Sequence, residues 1–159
     1  MYFIYGILTN LVIIFSPLLF FIRILKGKED IKRFQEKLCI YSEKKSFKTI
    51  WIHAASVGEL MSIIPILKKF ENNRKINKII LTTSTISSAK IFSKLTFKKT
   101  FHKYFPLDTN HLAKKFIKCW KPQLAIFIDS EIWPNILKNL NKNKIPIIIL
   151  NARITKKSF

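Results

Sequence analysis

Four short runs of almost unbroken apolar residues, each followed by or following a segment with helical spacing, constrain this chain more than any other feature. The runs are 49–55 (TIWIHAA), 78–83 (KIILTT), 123–128 (QLAIFI) and 145–151 (IPIIILN), with a weaker one near 102–105. A strand covered on one face alternates apolar and polar residues, whereas an unbroken apolar run of this length reads as a strand covered on both faces. Helices are expected over 59–70, 87–95, 111–120 and 134–141. In the third, Leu112, Phe116 and Trp120 recur at fourfold spacing behind Thr109, a suitable N-cap. In the fourth, Pro134 stands in the first turn, where a helix tolerates it, while Pro65 inside the first helix predicts a bend or an early stop. Strands alternating with helices imply an α/β fold with a parallel, doubly wound sheet and right-handed crossovers. Functional groups in such a fold gather where strands end and helices begin.

The first 22 residues, MYFIYGILTNLVIIFSPLLFFI, carry no charged side chain. A helix of about 20 such residues matches a hydrocarbon core of roughly 30 Å, so the segment is expected to be an uncleaved membrane anchor. No Lys or Arg precedes it and no small-residue cleavage site follows it, unlike a signal peptide. Pro17 leaves two forms open, a kinked span or a shallow monotopic insertion. Residues 23–48 hold nine basic and four acidic side chains, a net of +5, and the positive-inside rule puts everything after residue 22 on the cytoplasmic side.

The whole chain of 159 residues has a formal net charge of +20, which invites a nucleic-acid or anionic-membrane partner. Only four of the 29 basic residues are Arg, however, and the Lys-, Ile- and Asn-rich composition is what an A+T-rich genome produces on solvated faces. The basic residues are spread along the chain after residue 22 without a nucleic-acid motif, so no nucleic-acid partner is expected. Cys39 and Cys119 are too few for a disulfide framework and have no metal-type spacing to the three histidines, which suits a reducing compartment.

Two strand ends carry acids. The first runs into Ala54-Ala55-Ser56-Val57-Gly58-Glu59, where Gly58 allows a tight turn, Ser56 can cap the next helix and Glu59 falls in its first turn. Spacing alone leaves Glu59 either complementing the helix dipole or acting as a catalytic carboxylate. The single glycine excludes a dinucleotide fingerprint. The third strand ends in Asp129-Ser130-Glu131-Ile132-Trp133-Pro134-Asn135. Asp129 and Glu131 share a face if the strand persists and need not if a turn begins at Ser130; they either cap the Pro134 helix or divide acid and base roles. His53 reads more readily as a satisfied core residue than as a catalyst, and His102 and His111 read as surface or interface residues.

Taken together, the N-terminal anchor, WIHAASVGEL, the TTST strand end, YFPLD, DSEIWPN and the closing NARITKKSF resemble the N-terminal half of the 3-deoxy-D-manno-octulosonate (Kdo) transferases of lipopolysaccharide synthesis. The resemblance covers essentially the whole chain. It implies a two-domain, B-type (GT-B) glycosyltransferase with Rossmann-like halves, of which this chain supplies the anchor (1–22), a basic juxtamembrane segment (23–48) and the acceptor-side domain (49–159). The activity implied is transfer of Kdo from CMP-Kdo to the lipid A precursor (lipid IVA) at the cytoplasmic face of the bacterial inner membrane, with no cofactor and no required metal. The donor-binding half would follow Phe159.

Carried over by residue, the resemblance makes Glu59 the general base that deprotonates the acceptor hydroxyl, Asp129 the transition-state stabiliser and Glu131 a supporting acid. Ser56, Gly58 and Arg153 are the implied substrate-binding positions. Two departures stand out: Asp129 replaces the usual Glu and is one methylene shorter, and Ser88 stands where glycine is usual. A shift of up to about 1.5 Å at a reacting group weakens catalysis unless the backbone compensates. Competing readings are a non-catalytic, membrane-associated binding domain or remnant, and another GT-B enzyme such as a lipid A disaccharide synthase.

Overall fold

The computed structural model describes residues 2–41, 48–129 and 132–151. Its centre is a sheet of five strands, β1 (Thr49–His53), β2 (Ile79–Thr83), β3 (Thr100–Tyr104), β4 (Pro122–Ile128) and β5 (Ile147–Leu150). All neighbours are parallel and the order is β3-β2-β1-β4-β5. The helices are α1 (Tyr2–Leu25), α2 (Val57–Asn72), α3 (Ile86–Phe92), α4 (Asn110–Trp120) and α5 (Pro134–Lys142). The doubly wound α/β expectation therefore holds, and four apolar runs and the weaker fifth all became strands.

Burial on both faces explains the unbroken apolar runs. On one side Trp51, Phe116, Phe127 and Trp120 pack with α4 and α5; on the other Ile52, Leu60, Leu67, Leu81 and Ile126 pack with α2 and α3. Trp51 sits at the middle of the first layer, with the Phe116 and Phe127 rings 4.4 and 5.3 Å away. Such rings contribute about 0.5–1.5 kcal/mol per pair beyond burial. The caps at Ser56 and Thr109 form as expected, each side chain accepting from the amide three residues on. The helix α2 runs through Pro65 for 16 residues and does not end there.

Residues 26–41, within the basic juxtamembrane segment, pack against the sheet. After α1 their only regular element among the described residues is a short 3-10 helix, Phe34–Leu38, stitched to the edge strand β3. Arg33 pairs with Glu36 at 2.9 Å and donates to the His102 carbonyl, while Glu36 accepts the Tyr104 amide at 3.0 Å and the Lys103 ammonium at 3.1 Å. Charged side chains thus occupy the strand's otherwise open hydrogen-bonding edge. His102, expected at the surface or an interface, is partly buried at the interface between β3 and this segment. Arg33 can only donate, so His102 Nδ1 accepts from it and Nε2–H donates to Thr83 Oγ1 at 2.8 Å. Burial, reinforced by the Arg33 and Lys103 charges, lowers its pKa to about 3.

Tyr2–Leu25 form the helix α1, although most side chains of its first half lie outside the described residues. Among the described residues no helix is long and apolar enough to cross a membrane.

Candidate active site at the carboxyl edge of the sheet

The strand order reverses between β1 and β4, and open parallel sheets bind ligands in the crevice outside the strand ends at that point. His53 pairs with Phe127 across these two strands. Both strands end just beyond this pair, so the Ala55–Glu59 turn and the Asp129 turn leave the sheet from neighbouring strands. The two acid-bearing segments singled out in the sequence thus flank one crevice.

Glu59 enters α2 at its third position and turns back over the strand end. Its Oε2 accepts the Ala55 amide at 2.7 Å and Oε1 accepts the Ser56 hydroxyl at 2.8 Å, while Ser56 Oγ accepts the Glu59 amide at 3.2 Å. This reciprocal capping fixes the carboxylate and holds the turn. A carboxylate has about four acceptor positions, so two stay open for a ligand hydroxyl. Gly58 is exposed, and a Cβ there would meet only Ser56 Oγ at 4.0 Å, so the turn leaves room for a ligand to come close.

At the neighbouring strand end the chain turns at once. Asp129 has φ 57°, in the left-handed region that Asp tolerates, so the strand alternation does not carry on toward Glu131. Glu131, Ser130 and Arg153 lie outside the described residues. Two contacts from β5 hold the turn: the Asp129 amide donates to the Leu150 carbonyl at 2.8 Å, and Asn151 Nδ2 donates to Asp129 Oδ1 at 2.5 Å. Asn151 is a residue that reasoning from the sequence did not assign; its position at the end of an apolar strand was the available signal.

The YFPLD and IWPN segments also meet here. Asp108 Oδ1 accepts the Ile136 amide at 2.9 Å and Oδ2 the Asn135 amide at 3.2 Å, while Asn135 Nδ2 donates to the Asp108 carbonyl at 2.7 Å. An ionised group at a helix N-terminus satisfies its open amides and complements its dipole. Asp108 thus caps the Pro134 helix, while the capping expected of Ser130 or Glu131 falls outside the described residues.

Beneath the edge His53 is fully buried. Its Nδ1 lies 3.1 Å from the Thr82 carbonyl, which only accepts, so the proton sits on Nδ1 and Nε2 keeps its lone pair. Burial drives its pKa down to about 3, with the Thr82 bond acting weakly the other way. The ring stacks on Phe105 at 3.8 Å and meets Trp133 edge-on at 6.4 Å. Among the described residues, His53 Nε2 and Trp133 Nε1 have no hydrogen-bond partner. Trp133 also lines a cavity of about 200 Å³ with Arg23, Lys37, Ser84, Phe105 and Leu107. A neutral histidine of this kind positions neighbours and does not shuttle protons near neutrality. Among the described residues no group of three or more His, Cys, Asp and Glu side chains is arranged to hold a metal ion.

Comparison with known proteins adds independent findings. A family model described as 3-deoxy-D-manno-octulosonic-acid transferase (kdotransferase) matches residues 32–159. A 3-deoxy-D-manno-octulosonic acid transferase of Rickettsia bellii is 37% identical over 156 residues, covering 98% of this chain and 37% of its own length. One from Rickettsia typhi is 30% identical, covering 98% of this chain and 43% of its own, and one from Haemophilus influenzae is 31% identical, covering 94% and 36%. The chain thus spans about two-fifths of the length of the curated relatives it matches.

Proposed function

Because the chain belongs to the 3-deoxy-D-manno-octulosonic-acid transferase family, we propose that it is the acceptor-side, Rossmann-like domain of a GT-B glycosyltransferase that moves Kdo from CMP-Kdo to the lipid A precursor lipid IVA. In this reading Glu59 takes the proton of the acceptor's primary hydroxyl as that oxygen attacks the Kdo anomeric carbon. The new C–O bond forms as the bond to the CMP phosphate breaks, and CMP departs with the electron pair. Asp129 stabilises the positive charge that develops at the sugar, with Glu131 supporting it. Ser56 orients the base, Gly58 leaves room beside it, and Arg153 contacts the acceptor's phosphates. The donor is assigned to the part of the relatives' length that this chain does not span.

The observation that carries this reading is the meeting of the Glu59 turn and the Asp129 turn at one switch-point crevice, each held by its own hydrogen bonds. The shorter acid is accommodated in the same account, since the left-handed turn and Asn151 set where Asp129 points. The apolar, uncharged N-terminus and the basic residues after it support attachment to the cytoplasmic face of the inner membrane, where a lipid acceptor resides.

The test is transfer of Kdo from CMP-Kdo to lipid IVA by the chain combined with a donor-side half, taken from downstream coding sequence or from a relative. Glu59→Ala is expected to lower the rate by about 10²–10⁴-fold. Undiminished transfer by that variant removes the assigned base. Lipid binding with no transfer in any combination supports a non-catalytic binding domain instead.

A further inference from the structure

The helix α1 touches the rest of the protein at both of its ends and between them, always through one face. Tyr5 donates to Asp108 Oδ2 at 2.7 Å, and Thr9 Oγ1 accepts from Asn135 Nδ2 at 3.4 Å. Further on Ser16 and Phe20 are buried, Phe20 meets Phe34 at 5.5 Å, and Arg23 pairs with Glu29 at 3.0 Å. Positions 5, 9, 16, 20 and 23 fall within a narrow arc of a helix with 3.6 residues per turn. Tyr5 and Arg23 are about 27 Å apart along the axis at 1.5 Å per residue. A helix perpendicular to a membrane would carry Tyr5 that far from a domain attached at Arg23. Here Tyr5 lies against the domain as firmly as Arg23 does.

The opposite face is apolar and open. Phe15, Leu18, Leu19, Phe21, Ile22 and Leu25 are between 39% and 71% exposed, and most recur at three- and four-residue steps along the side away from Asp108 and Asn135. Exposed Lys26, Lys28 and Lys32 follow at the helix end. An apolar stripe continued by cations is the pattern of a helix that lies in the interface of an anionic bilayer, sunk about 5–10 Å at the headgroup boundary.

We propose that α1 lies in the plane of an anionic membrane, docked along the domain by its Tyr5–Arg23 face and inserted into lipid by the Phe15–Leu25 stripe, so that its N-terminus stays on the domain's side. This rests on the reading that the protein works at a membrane, and it sharpens that reading. In that arrangement α1 lies between the bilayer and Asp108 and Asn135, which it covers, and holds the carboxyl edge of the sheet one helix diameter, ~10 Å, from the lipid.

Two measurements on the full chain test it. In a Cys39→Ser, Cys119→Ser background, Tyr2→Cys and Lys142→Cys are labelled separately with an impermeant maleimide in sealed membranes of known orientation. The expected result is labelling of both from the same side; labelling of Tyr2→Cys only from the opposite side overturns in-plane docking while leaving membrane attachment intact. In the second, the Leu18→Glu, Ile22→Glu double variant is expected to lose about tenfold or more in affinity for phosphatidylcholine vesicles containing phosphatidylglycerol. Unchanged vesicle affinity, or a lipid-free dimer that the same variant dissolves, overturns the lipid-facing role of the stripe. Absence of any vesicle binding by the parent chain removes the membrane reading as well, without bearing on the transfer assay.

Discussion

Acidification is predicted to unfold this protein through two enclosed histidines. His53 and His102 each have a folded pKa of about 3 against an ordinary 6.5. Between those values the unfolded chain binds a proton at each site and the folded chain does not, so stability rises with pH there and falls as pH drops below 6.5. Each group costs about 1.4 kcal/mol per pH unit in that window. From about pH 6.5, where each unfolded imidazole is half protonated, to 5, the pair removes roughly 3 kcal/mol, a large share of the 5–15 kcal/mol that holds a typical domain. The assay is urea unfolding of the full chain in detergent, followed by the fluorescence of buried Trp51 and Trp120, at several pH values between about 7.5 and 5. Carboxylates remain mostly ionised over that range, so the slope belongs to the histidines. His102→Gln, which keeps a donor toward Thr83, is expected to reduce the slope to about half. A stability that does not change between about pH 7 and 5, or a slope unaltered in both His102→Gln and His53→Gln, refutes the burial argument.

Three further outcomes follow from the same geometry. Asp108→Ala strands the Asn135 and Ile136 amides at the start of α5 and is expected to cost about 2–3 kcal/mol in urea unfolding, a loss that a double-mutant cycle with Tyr5→Phe should show to be coupled. Ser56→Ala removes the α2 cap and is expected to cost about 1 kcal/mol, measured the same way; the variant also frees Glu59 Oε1. Asn151→Ala releases Asp129 and is expected to lower kcat about 10–100-fold in the combined transfer assay with KM little changed, whereas an equal fall in stability with unaltered kcat would make Asn151 a structural residue only.

Much of this fold is legible in the residues because the strands are buried on both faces. Unbroken runs such as IWI at Ile50–Ile52 or AIFI at Ala125–Ile128 admit few alternatives once helical segments separate them. Caps were legible for the same local reason: Ser56 and Thr109 stand one turn before their apolar faces. What was not legible depends on contacts distant in sequence. His102 looks like a polar strand residue until Arg33, 69 positions earlier, closes over it. The basic segment after residue 26 forms only a short 3-10 helix because Arg33 and Glu36 are drawn to the β3 edge. Pro65 fails to end α2, and its exposed position lets the helix pass with its Leu60, Ile63 and Leu67 face still packed. At the site, the two acidic turns could be named from sequence, but their adjacency required the strand order, and the conformation of Asp129 required Asn151 from the next strand.

The central claim is that the edge carrying Glu59 and Asp129 belongs to the acceptor side of a Kdo transferase. Equilibrium binding to the full chain in mixed micelles tests it most directly, with lipid IVA and CMP-Kdo titrated separately. The account predicts saturable binding of lipid IVA and none of CMP-Kdo; binding of CMP-Kdo without lipid IVA would contradict it.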